Sequence, residues 1–313
     1  MAATGDAAVV AVDVGGTSIK GAVVGADGAL LREMHRPTPV ADGPEAVIAE
    51  LLAIISSLAA PRDPGGLDSP DHSWHPKALG LVVPGVVDAA AGRAVFSANL
   101  GFRDVPLRDV VHEAVGLPTL LEHDVYAAGV AERAVGAAAG VDDHLVAVIG
   151  TGIAGVVHVA GRPVRGALGV AGELGHVPVW PGGEHCPCGQ RGCLERYASA
   201  AAIARRYAEL GGAPGVNAEA LAVRRSTDPV AQRVWQEATE ALAIALVTCT
   251  MLLDPELIVI AGGLSAAGEA LRAPVQAELA ERITWRTPPP LRLSPLGGRA
   301  GLLGAAILAR ELV

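Results

Sequence analysis

Aromatic side chains are nearly missing from this sequence. Phe, Trp and Tyr make up 3% of its 313 residues, so Ala, Val, Leu and Ile must build an interior drawn from a hydrophobic fraction of 51%. Lysine is almost absent too, with Lys20 and Lys77 alone. No cluster of Lys and Arg occurs, and the formal net charge is −9. A surface that follows a nucleic-acid backbone or an anionic membrane is therefore excluded. Long apolar runs are lacking: the longest, Ala241 to Leu253, stops at Asp254-Pro255-Glu256, short of a bilayer's width. No basic region leading into an apolar stretch opens the chain, so no signal peptide is expected and a cytoplasmic location is. Cysteine is scarce. Of four, three lie between Cys186 and Cys193, which fits a metal site in a reducing compartment better than a disulfide framework.

What is present is an α/β pattern long enough for two domains. Val9 to Asp13, Ser18 to Val24 and Ala29 to Met34 read as strands of a β-meander. Pro44 to Leu58 places Val47, Ile48, Leu51, Leu52, Ile55 and Leu58 on one helical face. Residues 61 to 76, rich in Pro, Asp, Gly and Ser, read as an exposed loop before the strand Ala78 to Val83. A helix from Pro106 to Val115, the strand Thr119 to Glu122 and a helix from Asp124 follow. The strands Leu145 to Ile149 and Val156 to Ala160 then repeat the opening theme, which suggests a duplicated architecture. Helices are expected at Glu195 to Leu210, Pro229 to Leu253, Ala266 to Glu281 and Ala300 to Leu312, with a strand at Leu257 to Ile260.

Three glycine turns punctuate these elements. In Asp13-Val14-Gly15-Gly16-Thr17, bare glycines let backbone N–H groups approach an anion and Thr17 adds a hydroxyl. A plain tight hairpin fits equally well. Gly150-Thr151-Gly152-Ile153-Ala154-Gly155 matches the dinucleotide fingerprint G-x-G-x-x-G, with Glu173 downstream. That fingerprint needs a helix after its last glycine, whereas Val156 to Ala160 reads as a strand, so a Rossmann site is disfavoured. Gly262-Gly263 follows a strand, at a usual place for a nucleotide or for an ordinary strand-to-helix turn. No Walker A sequence occurs.

The run Cys186-Pro187-Cys188-Gly189-Gln190-Arg191-Gly192-Cys193-Leu194-Glu195 supplies three thiolates, and His176 precedes it by ten residues. Three sulfurs and one imidazole form a closed tetrahedral set suited to structural Zn²⁺. A redox dithiol or unmetallated cysteines are the alternatives, and His185 is an alternative ligand. Cys249, in an apolar helical run, reads as core.

Together these segments resemble the ROK family of sugar kinases and repressors over nearly the whole chain. The likeness rests on Asp13 to Thr17, on Gly150 to Gly155, on Ile258-Val259-Ile260-Ala261-Gly262-Gly263 and on the C-x-C-G-x-x-G-C-x-E signature. It implies the ribonuclease-H-like, actin-like ATPase fold, with two lobes flanking a cleft. Residues 1–122 would form the small lobe, with the helix 300–313 packing back on it, and 123–299 the large lobe with the zinc loop and nucleotide site.

The resemblance implies ATP-dependent phosphorylation of a hexose 6-hydroxyl, glucose first, and otherwise fructose, mannose, allose, glucosamine or an N-acetyl amino sugar. ATP would meet Asp13, Gly15, Gly16, Thr17, Thr151, Gly152, Gly262 and Gly263, with Mg²⁺ reached from Asp13 through water. Lys20 would assist the phosphates or lie as a surface lysine. The sugar would meet Gly85, Asn99, His123, Glu173, His176 and Glu195. Asp124, at a strand-to-helix junction whose helix N-terminus favours an ionised carboxylate, would be the general base; the same position suits a simple helix cap. His123 stands where the family commonly has Asn, as a hydrogen-bond substitute or as a change in sugar preference. Family members are commonly dimers or tetramers. Repressors add an N-terminal helix-turn-helix, which is not expected here because the first strand starts by residue 8. A silent sugar-binding protein is the remaining alternative, opposed by the retained Asp124 and both phosphate loops.

Overall fold

The computed structural model describes residues 8–61 and 74–313. The chain forms two compact units, Met1–Ala131 with Arg299–Val313, and Glu132–Gly298. Most of the loop expected at 61–76 lies outside the described residues. At its end, Trp74 is buried among the apolar side chains of the first unit instead of being exposed.

In the first unit, β1 (Val9–Val14), β2 (Ser18–Val24) and β3 (Leu30–Pro37) form the expected meander, followed by α1 (Pro44–Ala59) and β4 (Ala78–Val83). A second, three-stranded antiparallel sheet comes next, β5 (Val86–Asp88), β6 (Arg93–Ser97) and β7 (Phe102–Val105). Then follow α2 (Leu107–Val115), stopped by Gly116 in the left-handed conformation, β8 (Thr119–His123) and α3 (Asp124–Val135). The main sheet has the order β3-β2-β1-β4-β8, with β1, β4 and β8 parallel. Helix α1 buries Val47, Leu51, Ile54, Ile55 and Leu58 against it.

The second unit repeats this plan. After β9 (His144–Ile149), β10 (Ile153–Val159) and β11 (Arg162–Pro163) come α4 (Glu195–Ala198), α5 (Ala200–Glu209), α6 (Ala218–Arg224) and α7 (Pro229–Leu253). β12 (Leu257–Ala261), α8 (Glu269–Arg282) and β13 (Leu291–Leu293) complete it. Its sheet runs β11-β10-β9-β12-β13, with β9, β12 and β13 parallel. Each main sheet thus has the order 3-2-1-4-5 with only its second strand reversed, as a ribonuclease-H-like fold requires. The last helix, α9 (Ala300–Ala309), belongs to the first unit, where Leu302, Ala305 and Ala306 pack on β1 and β4.

Several sequence-based boundaries shift. The helix expected over Glu195 to Leu210 is two helices, because Ser199 is extended and its hydroxyl caps α5 through the Ala202 N–H at 3.1 Å. The helix expected from Ala266 starts at Glu269, after a 3₁₀ turn over Gly263–Ala267. The strand expected from Val156 begins at Ile153. α7 is long and apolar enough by length and composition to cross a membrane, but Val234, Trp235, Leu242 and Leu246 are taken up by the core of the second unit. Cys249 packs at the edge of that core, and burial pushes its thiol up to about 11.

Candidate active site

Parallel β1, β4 and β8 end side by side, which gathers polar residues at one edge of the first unit. Asp13 pairs with Val82 of β4, and Val83 pairs in turn with His123 of β8. Asp124, next in sequence, opens α3; its Oδ1 accepts the Val125 N–H at 2.7 Å. His123 Nδ1 accepts the same N–H at 3.2 Å and lies 3.4 Å from that Oδ1. His123, the residue before the helix, therefore takes the capping bond, and Asp124 is the first helical residue, with its side chain still 30% exposed. Asp13 feels the arrangement. Its carboxyl is pushed up to about 6, chiefly by burial and further by the negative charge of Asp124, while Lys20 opposes the shift. Lys20 faces Asp13 directly across the β1–β2 ladder, so it is not a detached surface lysine.

The turn at Gly15, Gly16 and Thr17 is a tight hairpin closed by the Gly15 N–H on the Ser18 carbonyl at 2.8 Å. Thr38, which the sequence did not single out, straps it from behind, its hydroxyl donating to the Gly15 carbonyl at 2.6 Å. Thr17 is exposed at the tip. Asn99 lies against the same turn, 3.3 Å from where a side chain on Gly16 would begin. Gly85 sits between β4 and β5. Asp13, Gly15, Gly16, Thr17, Gly85, Asn99, His123 and Asp124 all belong to the first unit.

The second unit holds the remaining candidates. Gly150, Thr151 and Gly152 form the turn of the β9–β10 hairpin. The strand starts inside the G-x-G-x-x-G motif, no helix follows it, and a Rossmann site is ruled out. Gly262, at the end of β12, packs so closely on β9 that a Cβ there would lie 2.5 Å from the Ile149 carbonyl oxygen. The hairpin turn and Gly262-Gly263 are therefore neighbours at the carboxyl ends of parallel strands. Glu195, from α4, reaches the hairpin as well: its Oε2 accepts the Ile153 N–H at 2.8 Å. Glu173 and His176 flank the 3₁₀ turn Leu174–His176, with His176 Nε2 3.8 Å from Glu173 Oε2.

Opposite that edge of its ring, His176 meets the cysteines. The ligand atoms of His176, Cys186, Cys188 and Cys193 lie within 4.8 Å of one another. His176 Nδ1 is 3.7 Å from Cys186 Sγ, and Cys188 Sγ is 3.7 Å from Cys193 Sγ. Four ligands around Zn²⁺ at bond lengths of about 2.0–2.3 Å span tetrahedral edges of about 3.5–3.8 Å, so the donor set fits that ion. His185 is outside the cluster. The loop is fastened to α5 by Glu184, which accepts from Arg205 at 2.5 Å and also pairs with Arg196 and Arg206. Local sequence gave no signal for this network, whose partners are separated by up to 22 residues.

The ROK family model matches residues 9–312. The chain is similar to the glucokinase of Thermotoga maritima, with 34% identity over 322 residues covering 97% of this chain and 98% of the relative. It is also similar to the N-acetylmannosamine kinase of Escherichia fergusonii, with 30% identity over 306 residues covering 96% and 97%. A solved ROK family glucokinase from Streptomyces griseus, in complex with glucose and AMPPNP, matches with a TM-score of 0.81 at 30% identity, covering 97% of this chain and 99% of that one.

Proposed function

The chain belongs to the ROK family, and from that premise we propose that it transfers the γ-phosphoryl group of ATP to the 6-hydroxyl of glucose, with Asp124 as general base. The coarser reading, an ATP-dependent sugar kinase, is supported by relatives that match it end to end. The observation that carries the finer one is the placing of Asp124 at the head of α3, beside the strand ends that also present Asp13 and its glycine turn.

Phosphoryl transfer to an alcohol asks a protein mainly for positioning and charge stabilisation. Asp124 orients the 6-hydroxyl and accepts its proton as the oxygen attacks phosphorus. The Gly15 N–H is taken by Ser18, so the backbone N–H groups of Gly16 and Thr17 and those of Thr151 and Gly152 hold phosphate oxygens, helped by the Thr17 and Thr151 hydroxyls, while Gly262-Gly263 offers the nucleoside a surface free of side chains. Gly85, Asn99, His123, Glu173, His176 and Glu195 fix the sugar. Mg²⁺ accompanying ATP would supply positive charge to the phosphates, and Asp13 is the residue that would hold it through water. His176, Cys186, Cys188 and Cys193 would hold Zn²⁺; because that set is closed, the ion's contribution is to stiffen the loop.

The test is ADP release with ATP over a panel of hexoses and amino sugars, wild type against Asp124→Asn. Glucose should be the best substrate. The variant should lose roughly 10²- to 10⁴-fold in turnover while still binding sugar; an unchanged rate removes Asp124 as base. The Escherichia fergusonii relative favours one second reading, phosphorylation of N-acetylmannosamine, which the same panel decides.

A further inference from the structure

The four residues from Cys193 through Arg196 and the start of α5 do more than close a metal loop. Two clamps run from this segment to the β9–β10 turn. Glu195 Oε2 accepts the Ile153 N–H at 2.8 Å, and the Ala200 N–H donates to the Gly150 carbonyl at 2.9 Å. They grip the turn on both sides of Thr151-Gly152. The approach is close enough that a Cβ on Gly152 would lie 2.6 Å from Glu195 Oε2, and one on Gly175 3.3 Å from it. The carboxylate thus lies between the glycine turn and the segment leading to His176, and Cys193 stands only two residues before it.

We propose that Glu195 is a positioning residue for the nucleotide: its carboxylate holds the Gly150–Gly152 turn in its phosphate-binding shape and links that shape to the His176–Cys186–Cys188–Cys193 cluster. The inference rests on the kinase reading, in which this turn receives phosphate. Oε2 is committed to Ile153, so the effect of Glu195 on the nucleotide passes through the backbone and needs no sugar. Freed of the clamp, the turn would sample conformations in which its N–H groups diverge, and ordering them again would be charged against nucleotide affinity.

The deciding measurement is calorimetric binding of Mg²⁺–ADP to sugar-free protein. A residue that only touched sugar would leave this affinity alone. A hydrogen bond to a charged acceptor contributes about 1.5–3 kcal/mol, so Glu195→Ala should weaken ADP by about 10- to 100-fold. Glu195→Gln keeps an acceptor oxygen at the same reach and should stay within about threefold of wild type. Glu195→Asp is one methylene short and should behave like Ala. Removing the cluster's metal should weaken ADP binding to wild type but add little in Glu195→Ala, because both changes release the same clamp. The fitted stoichiometry counts folded protein, so partial misfolding does not imitate lower affinity. Wild-type ADP affinity in Glu195→Ala, or equal losses in Ala and Gln, overturns the proposal. Failure of the kinase reading looks different: wild type would bind no ADP, and this inference would fall with it.

Discussion

His144 and His158 stack face to face, ring centroids 4.1 Å apart and planes 13° apart, as directly opposed residues of β9 and β10. Both are buried, and His158 Nδ1 has no hydrogen-bond partner among the described residues. Burial lowers both rings below the ordinary imidazole value of 6.5, opposed for His144 by the Val141 backbone. For His158 the shift reaches about 4, through burial first, then the charge that His144 would carry, then Arg133. The unfolded chain therefore binds protons that the folded chain refuses. Stability is complete above pH 6.5 and drains away as pH falls toward 4. From His158 alone the loss by pH 4.5 is about 2–3 kcal/mol. His158→Phe keeps a stacked ring that cannot titrate. Urea unfolding at pH 7.5 and 4.5 should show the wild type losing more stability than the variant by about that amount, and equal losses would refute the account.

Pro274 sits inside α8 and cannot donate to the carbonyl of Ala270 one turn earlier. Trp235 of α7 fills the gap, its indole N–H reaching that carbonyl at 2.9 Å. Trp235→Phe should destabilise the protein by about 1–3 kcal/mol, since it leaves an acceptor without its donor as well as trimming a buried ring. In a Pro274→Ala background a helical N–H becomes available, and the same substitution should cost clearly less. Chemical unfolding of the four proteins in this cycle gives the coupling, which should be near zero if the indole bond is incidental.

The cysteine cluster predicts about one zinc per chain by elemental analysis, lost in Cys193→Ser. Cys193 is buried, and burial raises its thiol to about 12, whereas the exposed Cys188 thiol is lowered to about 7, mainly by the Gln190 backbone. A thiolate at Cys193 thus needs a compensating cation. Chelation should lower the thermal midpoint of wild type and leave the zinc-free variant where it is. Equal midpoints for wild type with and without chelator would mean that the loop stands without metal.

Whatever depends on local periodicity or on glycine punctuation could be read from the residues. β4 and α7 begin and end where the hydrophobic pattern does, and the hairpin at Gly15-Gly16 announces itself by two glycines between apolar runs. The cysteine cluster was legible because its donors happen to lie close in the chain, with three thiols between Cys186 and Cys193. The small β5–β7 sheet was not: its strands are three to five residues long and carry exposed Val86, Val95 and Phe96, so no clean alternation marks them. Nor could Ser199 be seen to split a helix, although Ser before an alanine run is the ordinary signature of a cap. Asp13 beside Asp124, and Glu195 on Ile153, are products of strand order and of contacts across 111 and 42 residues, which no spacing rule within one segment encodes.

Asp13 offers a test in which stability and activity should part company. Its carboxyl titrates near 6 in the folded chain against 3.8 when free, raised by burial and by Asp124 more than Lys20 lowers it. A carboxyl whose value rises on folding is a burden wherever it is ionised in both states. The cost is complete above pH 6, amounting to as much as about 3 kcal/mol, and it vanishes below about pH 4, where both states hold the proton. Asp13→Asn should therefore raise the unfolding free energy at pH 8, with the gain shrinking to nothing as pH drops through 6 toward 4. If Asp13 serves the nucleotide's metal, the same variant should lose ATP turnover by tenfold or more at pH 8, where its fold is most improved. A strained acid kept at a functional edge explains that combination. A variant that is less stable than wild type at pH 8 would show that the carboxylate is well solvated in the folded chain, and the raised value would have to be abandoned.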